Sequence, residues 1–154
     1  MPAIERFLEL SKADRLRALE AFLFLGLARV AVLAVPFRVL ARGLGQPSSG
    51  HGQAAPNEAV ASGTVELARL TERVSCHTPW KSNCLAKAIA VKLMLRRRGI
   101  GITMYFGMAK DEKGEFGAHA WTCSGGTILT GGPEIGHYAV LAAFADDDRR
   151  YGRE

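Results

Sequence analysis

The chain has 154 residues, enough for one domain with a core of its own. Its 48% hydrophobic and 23% charged content is that of a globular protein, and three cysteines without framework spacing argue against a disulfide-stapled secreted domain. The net charge of +5 suits acidic partners, such as an acidic peptide or a membrane surface, and is too weak and dispersed to indicate nucleic acid.

Acidic and basic residues alternate from Ile4 to Glu20, which does not read as a signal peptide, so a reducing cytoplasm is the expected compartment. Residues 3–44 read as two helices. Ser11 and Asp14 resemble a capping box, with Asp in place of Glu. Leu16, Leu19, Leu23, Leu27 and Val30 keep helical spacing. The apolar run from Ala21 to Phe37 is interrupted by Arg29 and ended by Pro36. It is shorter than the roughly 20 residues of a membrane span, so a buried helix is expected, with membrane contact as the lesser reading.

Residues 45–57 are rich in Gly, Ser, Pro and Gln and read as a linker or mobile loop that includes His51. Asn57 is placed to cap a helix running through Val74. After the connector His77-Thr78-Pro79-Trp80, Ser82 or Asn83 caps a helix from Cys84 to Arg98, and Gly99 stops it. Arg96-Arg97-Arg98 complements that helix C-terminus. Leu85, Ala88, Ile89 and Leu93 are its expected buried stripe.

Beyond Gly99 the period is two. Ile102 to Ala109, Phe116 to Cys123 and Thr127 to Thr130 read as strands of a meander, and Tyr138 to Phe144 as a last strand or short helix. The tail from Asp146 is charged and expected to fray. Helices followed by an antiparallel meander make an α+β fold. The units are a helical N-terminal region (1–44), the linker (45–57), a core (58–145) and the tail (146–154).

The chemistry centres on Cys84 and His119. A helix N-terminus favours thiolate, and an imidazole within reach supplies a base, so the pair fits a cysteine nucleophile. A small buried hydrophobe at Cys84 and a structural histidine at His119 are the plainer alternatives. Small neighbours Gly117, Ala118 and Ala120 leave room beside His119. Glu134 is the nearest carboxylate to serve as a third, orienting group; a dyad assisted by a backbone carbonyl or by Thr130 is the other option. Trp80, Asn83, Trp121 and Tyr105 are candidate substrate contacts. The substrate is expected to lie between the N-terminal helices and the sheet. Cys76, His77, Cys84, His119, Cys123 and His137 lack zinc-ligand spacing, and no phosphate-binding glycine motif occurs, so neither metal nor cofactor is expected.

The stretch from Thr78 to Ala88, the end Leu95-Arg96-Arg97-Arg98-Gly99, then Ala118-His119-Ala120-Trp121 and Leu129-Thr130-Gly131-Gly132 resemble the leader peptidases (B proteins) of lasso-peptide biosynthesis. The likeness is clearest over residues 70–145, and the N-terminal helices resemble the lead-in of the short, stand-alone form. It implies a transglutaminase-like, papain-like cysteine-protease core with a central Cys-bearing helix packed on an antiparallel sheet. It implies Cys84 as nucleophile and His119 as base, acting on a ribosomally made precursor peptide. The leader would be presented by a separate recognition-element protein, and a lasso cyclase would use the freed amine. The family's third residue is typically an acid after the His-Ala-Trp strand; Gly131 stands there, so the role passes to Glu134 or to no side chain. Acyl transfer from the same site, as in amide formation from glutamine, and a non-catalytic peptide- or membrane-binding module are the rival functions.

Overall fold

The computed structural model describes residues 3–48, 60 and 62–146; Asn57, His51 and the tail after Asp146 lie outside them. Five helices and a five-stranded antiparallel sheet form an α+β fold. The N-terminal part holds three helices rather than two: α1 (Ala3–Glu9), α2 (Lys12–Ala34) and α3 (Phe37–Gly43). Ser11 caps α2 by accepting from the Asp14 N–H at 3.1 Å and donating to its carboxylate at 2.7 Å. Pro36 has no N–H to continue α2 and opens α3 instead.

The linker assignment fails at residues 46–48. Gln46–Ser48 forms β1, an edge strand paired with β5 (Ala139–Ala145). An edge position is where a strand tolerates Pro47. Helix α4 (Thr64–Ser75) starts after Gly63, whose φ of +80° ends the preceding chain, so its start lies well inside the span expected from Asn57. Helix α5 (Cys84–Arg96) is capped by Asn83, whose side-chain oxygen accepts from the Ala86 N–H at 2.9 Å.

Strands β2 (Thr103–Lys110), β3 (Phe116–Ser124) and β4 (Thr127–Thr130) make the meander. The sheet order is β1-β5-β2-β3-β4, so the last strand pairs with β2 instead of extending the meander past β4.

All the longer helices pack on one face of the sheet. Ala28 of α2, Ala86, Ala88 and Ile89 of α5, and Met104 and Ala120 of the sheet share one cluster. Ala21, Leu67, Ala68, Val91, Met94, Leu95 and Ile102 form an adjoining one. The expected stripe on α5 therefore needs correction: Leu85 and Leu93 are only half-buried, while Ala86, Ala90 and Lys92 are buried. The opposite sheet face carries the row Ala143, Tyr105 and Trp121, in register across three strands. Among the described residues, the 3-10 turn Pro133–His137 and Tyr138 pack on it through Ile135 and Tyr138, and the row is buried.

The apolar line on α2 faces the wrong way for a buried helix. Ala18, Ala21, Leu25 and Ala28 point inward, while Leu16, Leu23, Leu27 and Val30 are 59 to 69% exposed. The expected fraying of the tail also fails at its first residue. Asp146 is buried, accepts from the Ile102 N–H at 3.1 Å and meets Lys92 at 3.1 Å and Arg96 at 2.6 Å.

Candidate active site

Cys84 opens α5, where the first helical N–H groups have no carbonyl behind them. The Asn83 cap takes one of these, at Ala86; the N–H groups of Cys84 and Leu85 have no hydrogen-bond partner among the described residues. The approach to the thiol is a braced loop. Thr78 Oγ1 lies 2.9 Å from the Ser75 carbonyl, 3.0 Å from the Trp80 carbonyl and 3.0 Å from Ser82 Oγ. Lys87 ties the first turn of α5 to Glu72 of α4 at 2.7 Å. Cys84 is half-buried and packs on the cluster that contains Ala120, the residue after His119.

The other two thiols stand in different surroundings. Cys76 is exposed and donates to the Glu72 carbonyl at 3.5 Å. Burial pushes the Cys123 thiol up to about 11, so it stays protonated and unreactive at neutral pH.

His119 lies in the middle of β3, opposite Gly107 of β2. It shares its face with Trp121 by strand alternation. Its Nε2 is 2.7 Å from the Gly131 carbonyl oxygen. A carbonyl only accepts, so Nε2 carries the proton and Nδ1 of the neutral ring is left as an acceptor, the state a general base requires. Aromatic rings fix the plane of the imidazole. Tyr138 is 4.9 Å away and Trp121 is stacked at 6.0 Å, with Tyr105 stacked on Trp121 at 5.7 Å.

Two glycines make this arrangement possible. A Cβ on Gly107 would come within 2.9 Å of the Trp121 indole. Gly131, at φ +107°, has its would-be Cβ 2.3 Å from Trp121 Cβ and 3.3 Å from His119 Nε2. A side-chain acid does not fit at 131 with this backbone, and the carbonyl orients the imidazole in its place.

The structure thus brings His119, Trp121 and Tyr105 together and adds Tyr138, which sequence reasoning missed; its signal was an aromatic residue soon after the Gly131-Gly132 break. Asn83 is the helix cap. Trp80 packs on α2, with its ring 4.9 Å from Phe22 and its face over Gly26, and its buried Nε1 has no hydrogen-bond partner among the described residues. Cys84 Sγ makes no hydrogen bond to His119 or to any other described residue. Glu134 belongs to the 3-10 turn, and its side chain lies outside the described residues. The expected peptide channel between the N-terminal helices and the sheet is occupied by packed core, since Ala28, Ala86, Met104 and Ala120 meet there. No three His, Cys, Asp or Glu side chains among the described residues are grouped to hold a metal.

No curated protein and no solved structure matches the chain. A family model described as the transglutaminase-like superfamily matches residues 23–143, a span that runs from α2 to β5 and takes in both Cys84 and His119. That superfamily generally comprises cysteine-dependent enzymes, both peptidases and acyltransferases. With a Cys-bearing helix packed on an antiparallel sheet and a match over most of its length, the chain belongs to the transglutaminase-like superfamily.

Proposed function

We propose that this chain is a cysteine peptidase that removes the leader from a ribosomally made lasso precursor peptide. The observation that carries the reading is the His119 Nε2–Gly131 carbonyl bond, which leaves Nδ1 as the acceptor on a strand packed against the helix that Cys84 opens. In this structure the thiol lies with Ala120 on the helix-covered side of the sheet and the imidazole lies with Trp121 on the opposite side, so the reading requires β3 to turn His119 towards Cys84 when peptide binds. Nδ1 takes the thiol proton, and Sγ attacks the scissile carbonyl to form a C–S bond. The unpartnered N–H groups of Cys84 and Leu85 receive the oxyanion. The amide C–N bond then breaks, and His119 returns the proton to the leaving amine. Water, deprotonated by His119, splits the thioester and restores the thiol.

The leader would arrive on a separate recognition-element protein, and the freed amine would pass to a lasso cyclase. A cytoplasmic setting suits three unpaired thiols.

The test is mass spectrometry of a precursor incubated with its recognition partner and either wild type or Cys84→Ala. Cleavage at one bond by wild type alone is expected, with water added across the cleaved pair. Equal cleavage by both proteins overturns the nucleophile, and amine incorporation without hydrolysis assigns acyl transfer instead.

A further inference from the structure

The crest of α2 carries an apolar line that no described residue covers. Leu16, Leu23, Leu27 and Val30 lie opposite the buried line Ala18, Ala21, Leu25 and Ala28 and are largely exposed, as is Leu33. The line continues past the Pro36 bend onto exposed Val39, while Phe37 turns in against Phe106 at 5.0 Å. On one flank it borders an apolar cleft of about 620 Å³ lined by Phe7, Leu10, Leu19, Phe22, Leu70 and Val74. A contiguous apolar surface of this kind marks an interaction site.

Charge selects the occupant. Lys12, Arg29, Arg38 and Arg42 flank the apolar line on the same two helices, and none of them forms an ion pair among the described residues. The acids of α2 are matched, Asp14 with Arg17 and Glu20 with Arg97 and Arg98, while Glu5 and Glu9 of α1 form no ion pair among the described residues. The face is therefore apolar at its crest and cationic at its sides. A second copy docked crest to crest would set these cations against their own kind. A convex helix crest also suits a plane better than an extended peptide, which needs a groove.

We propose that the α2–α3 face rests on an anionic lipid bilayer. The helix lies flat: no helix among the described residues is long and apolar enough to cross a membrane. The leucines enter the acyl boundary, the arginines meet lipid phosphate, and the cleft beside Leu19 and Phe22 gives an acyl chain a place. The sheet face that carries His119 is on the opposite side of the α2 and α5 layers, so His119 would face away from the lipid, while Cys84 at the start of α5 stays on the helix side.

The test is co-sedimentation of the full chain with vesicles of phosphatidylcholine alone and with about 30% phosphatidylglycerol, a fraction chosen to supply the anionic surface that basic amphipathic helices bind. Binding to the anionic vesicles is expected, falling about tenfold or more at high salt as screening sets in. Leu23→Asp/Leu27→Asp should abolish it. Arg38→Gln/Arg42→Gln should weaken it severalfold while leaving residual apolar binding. Both variants change exposed residues, and far-UV circular dichroism with thermal melts confirms that they fold. Failure of wild type to sediment with anionic vesicles overturns the proposal, as does binding indifferent to the leucine change. A wild-type dimer in analytical ultracentrifugation that Leu23→Asp/Leu27→Asp dissociates, without vesicle binding, assigns the face to a second copy.

Discussion

The two ends of α5 are built on opposite terms. At its C-terminal end every charge is matched. Lys92, fully buried, donates to the Ile102 carbonyl at 2.7 Å and the Phe144 carbonyl at 3.3 Å and pairs with Asp146; Arg96 joins Asp146 and reaches the Gly43 carbonyl at 2.9 Å. That network ties α5 to β2, β5 and the end of α3. At its N-terminal end the Cys84 thiol and two backbone N–H groups have no partner among the described residues. A helix that must present unsatisfied groups at one end benefits from being fixed at the other, because the exposed end then needs no contacts of its own to hold position.

The contrast breaks most visibly at the N-terminal end. Cys84→Ala should remove activity by at least about 10³-fold, as loss of a covalent nucleophile does. Stability should stay within about 1 kcal/mol of wild type, because the thiol is half-buried and makes no hydrogen bond. Precursor turnover beside a thermal melt checks both halves. A large fall in stability would mean that Cys84 is a packing residue.

Breaking the other end should do the reverse. Asp146→Ala leaves the Lys92 ammonium buried without its counter-charge, a change that costs about 3–5 kcal/mol. For a chain of this size that lowers the melting temperature by about 10 °C. The fraction that remains folded should keep near-normal turnover below the transition, since the change lies at the far end of α5 from Cys84. Calorimetry and low-temperature assays separate the two.

Gly131 sharpens the comparison, because its backbone serves the site without a side chain. Gly131→Ala should cost about 1–3 kcal/mol through a positive φ, with a further penalty from the contact on Trp121. It should also lower turnover by displacing the carbonyl from His119. Glu134→Gln should leave turnover unchanged if the carbonyl is the orienting group. A rate loss at Glu134→Gln with none at Gly131→Ala would pass that role to the carboxylate.

Much of this was legible in the sequence, and the gaps have physical reasons. The period-two stretches gave β2, β3 and β4 to within a residue or so because each alternates on a half-covered sheet. Asn83 was readable as a cap because the residues after it are strong helix formers. The orientation of α2 was not legible, because both of its sides are apolar. The fold buried its alanine side, where small residues let α2 approach α5 closely, and left the leucines outside. Lys92 was invisible because lysine in a helix ordinarily reaches water; only its pairing with Asp146, far along the chain, makes burial tolerable. The Gly131 carbonyl had no side-chain signature beyond the Gly-Gly pair itself. The place of β5 beside β2 depends on long-range pairing that local patterns do not encode.

The smallest effect tests the buried network by pH. Burial, the largest influence, pushes Lys92 down to about 8, against the opposing pull of Asp146. In the unfolded chain the same amine titrates near 10.5. Between these values the unfolded chain holds a proton that the folded chain has released, so stability contributed by Lys92 rises with pH. From pH 8 to 9 the gain should be about 1 kcal/mol, just under the full 1.4 per unit because titration is incomplete near 8. Lys92→Met lacks this gain and keeps Asp146 paired with Arg96. Cys123 acts the other way above pH 9, where its unfolded thiol ionises first, but it is present in both proteins and cancels in their difference. Urea titrations of the two proteins at pH 8 and 9 measure that difference. A gap that does not widen in favour of wild type would mean that Lys92 keeps its proton in the fold, held by Asp146 more strongly than burial opposes it.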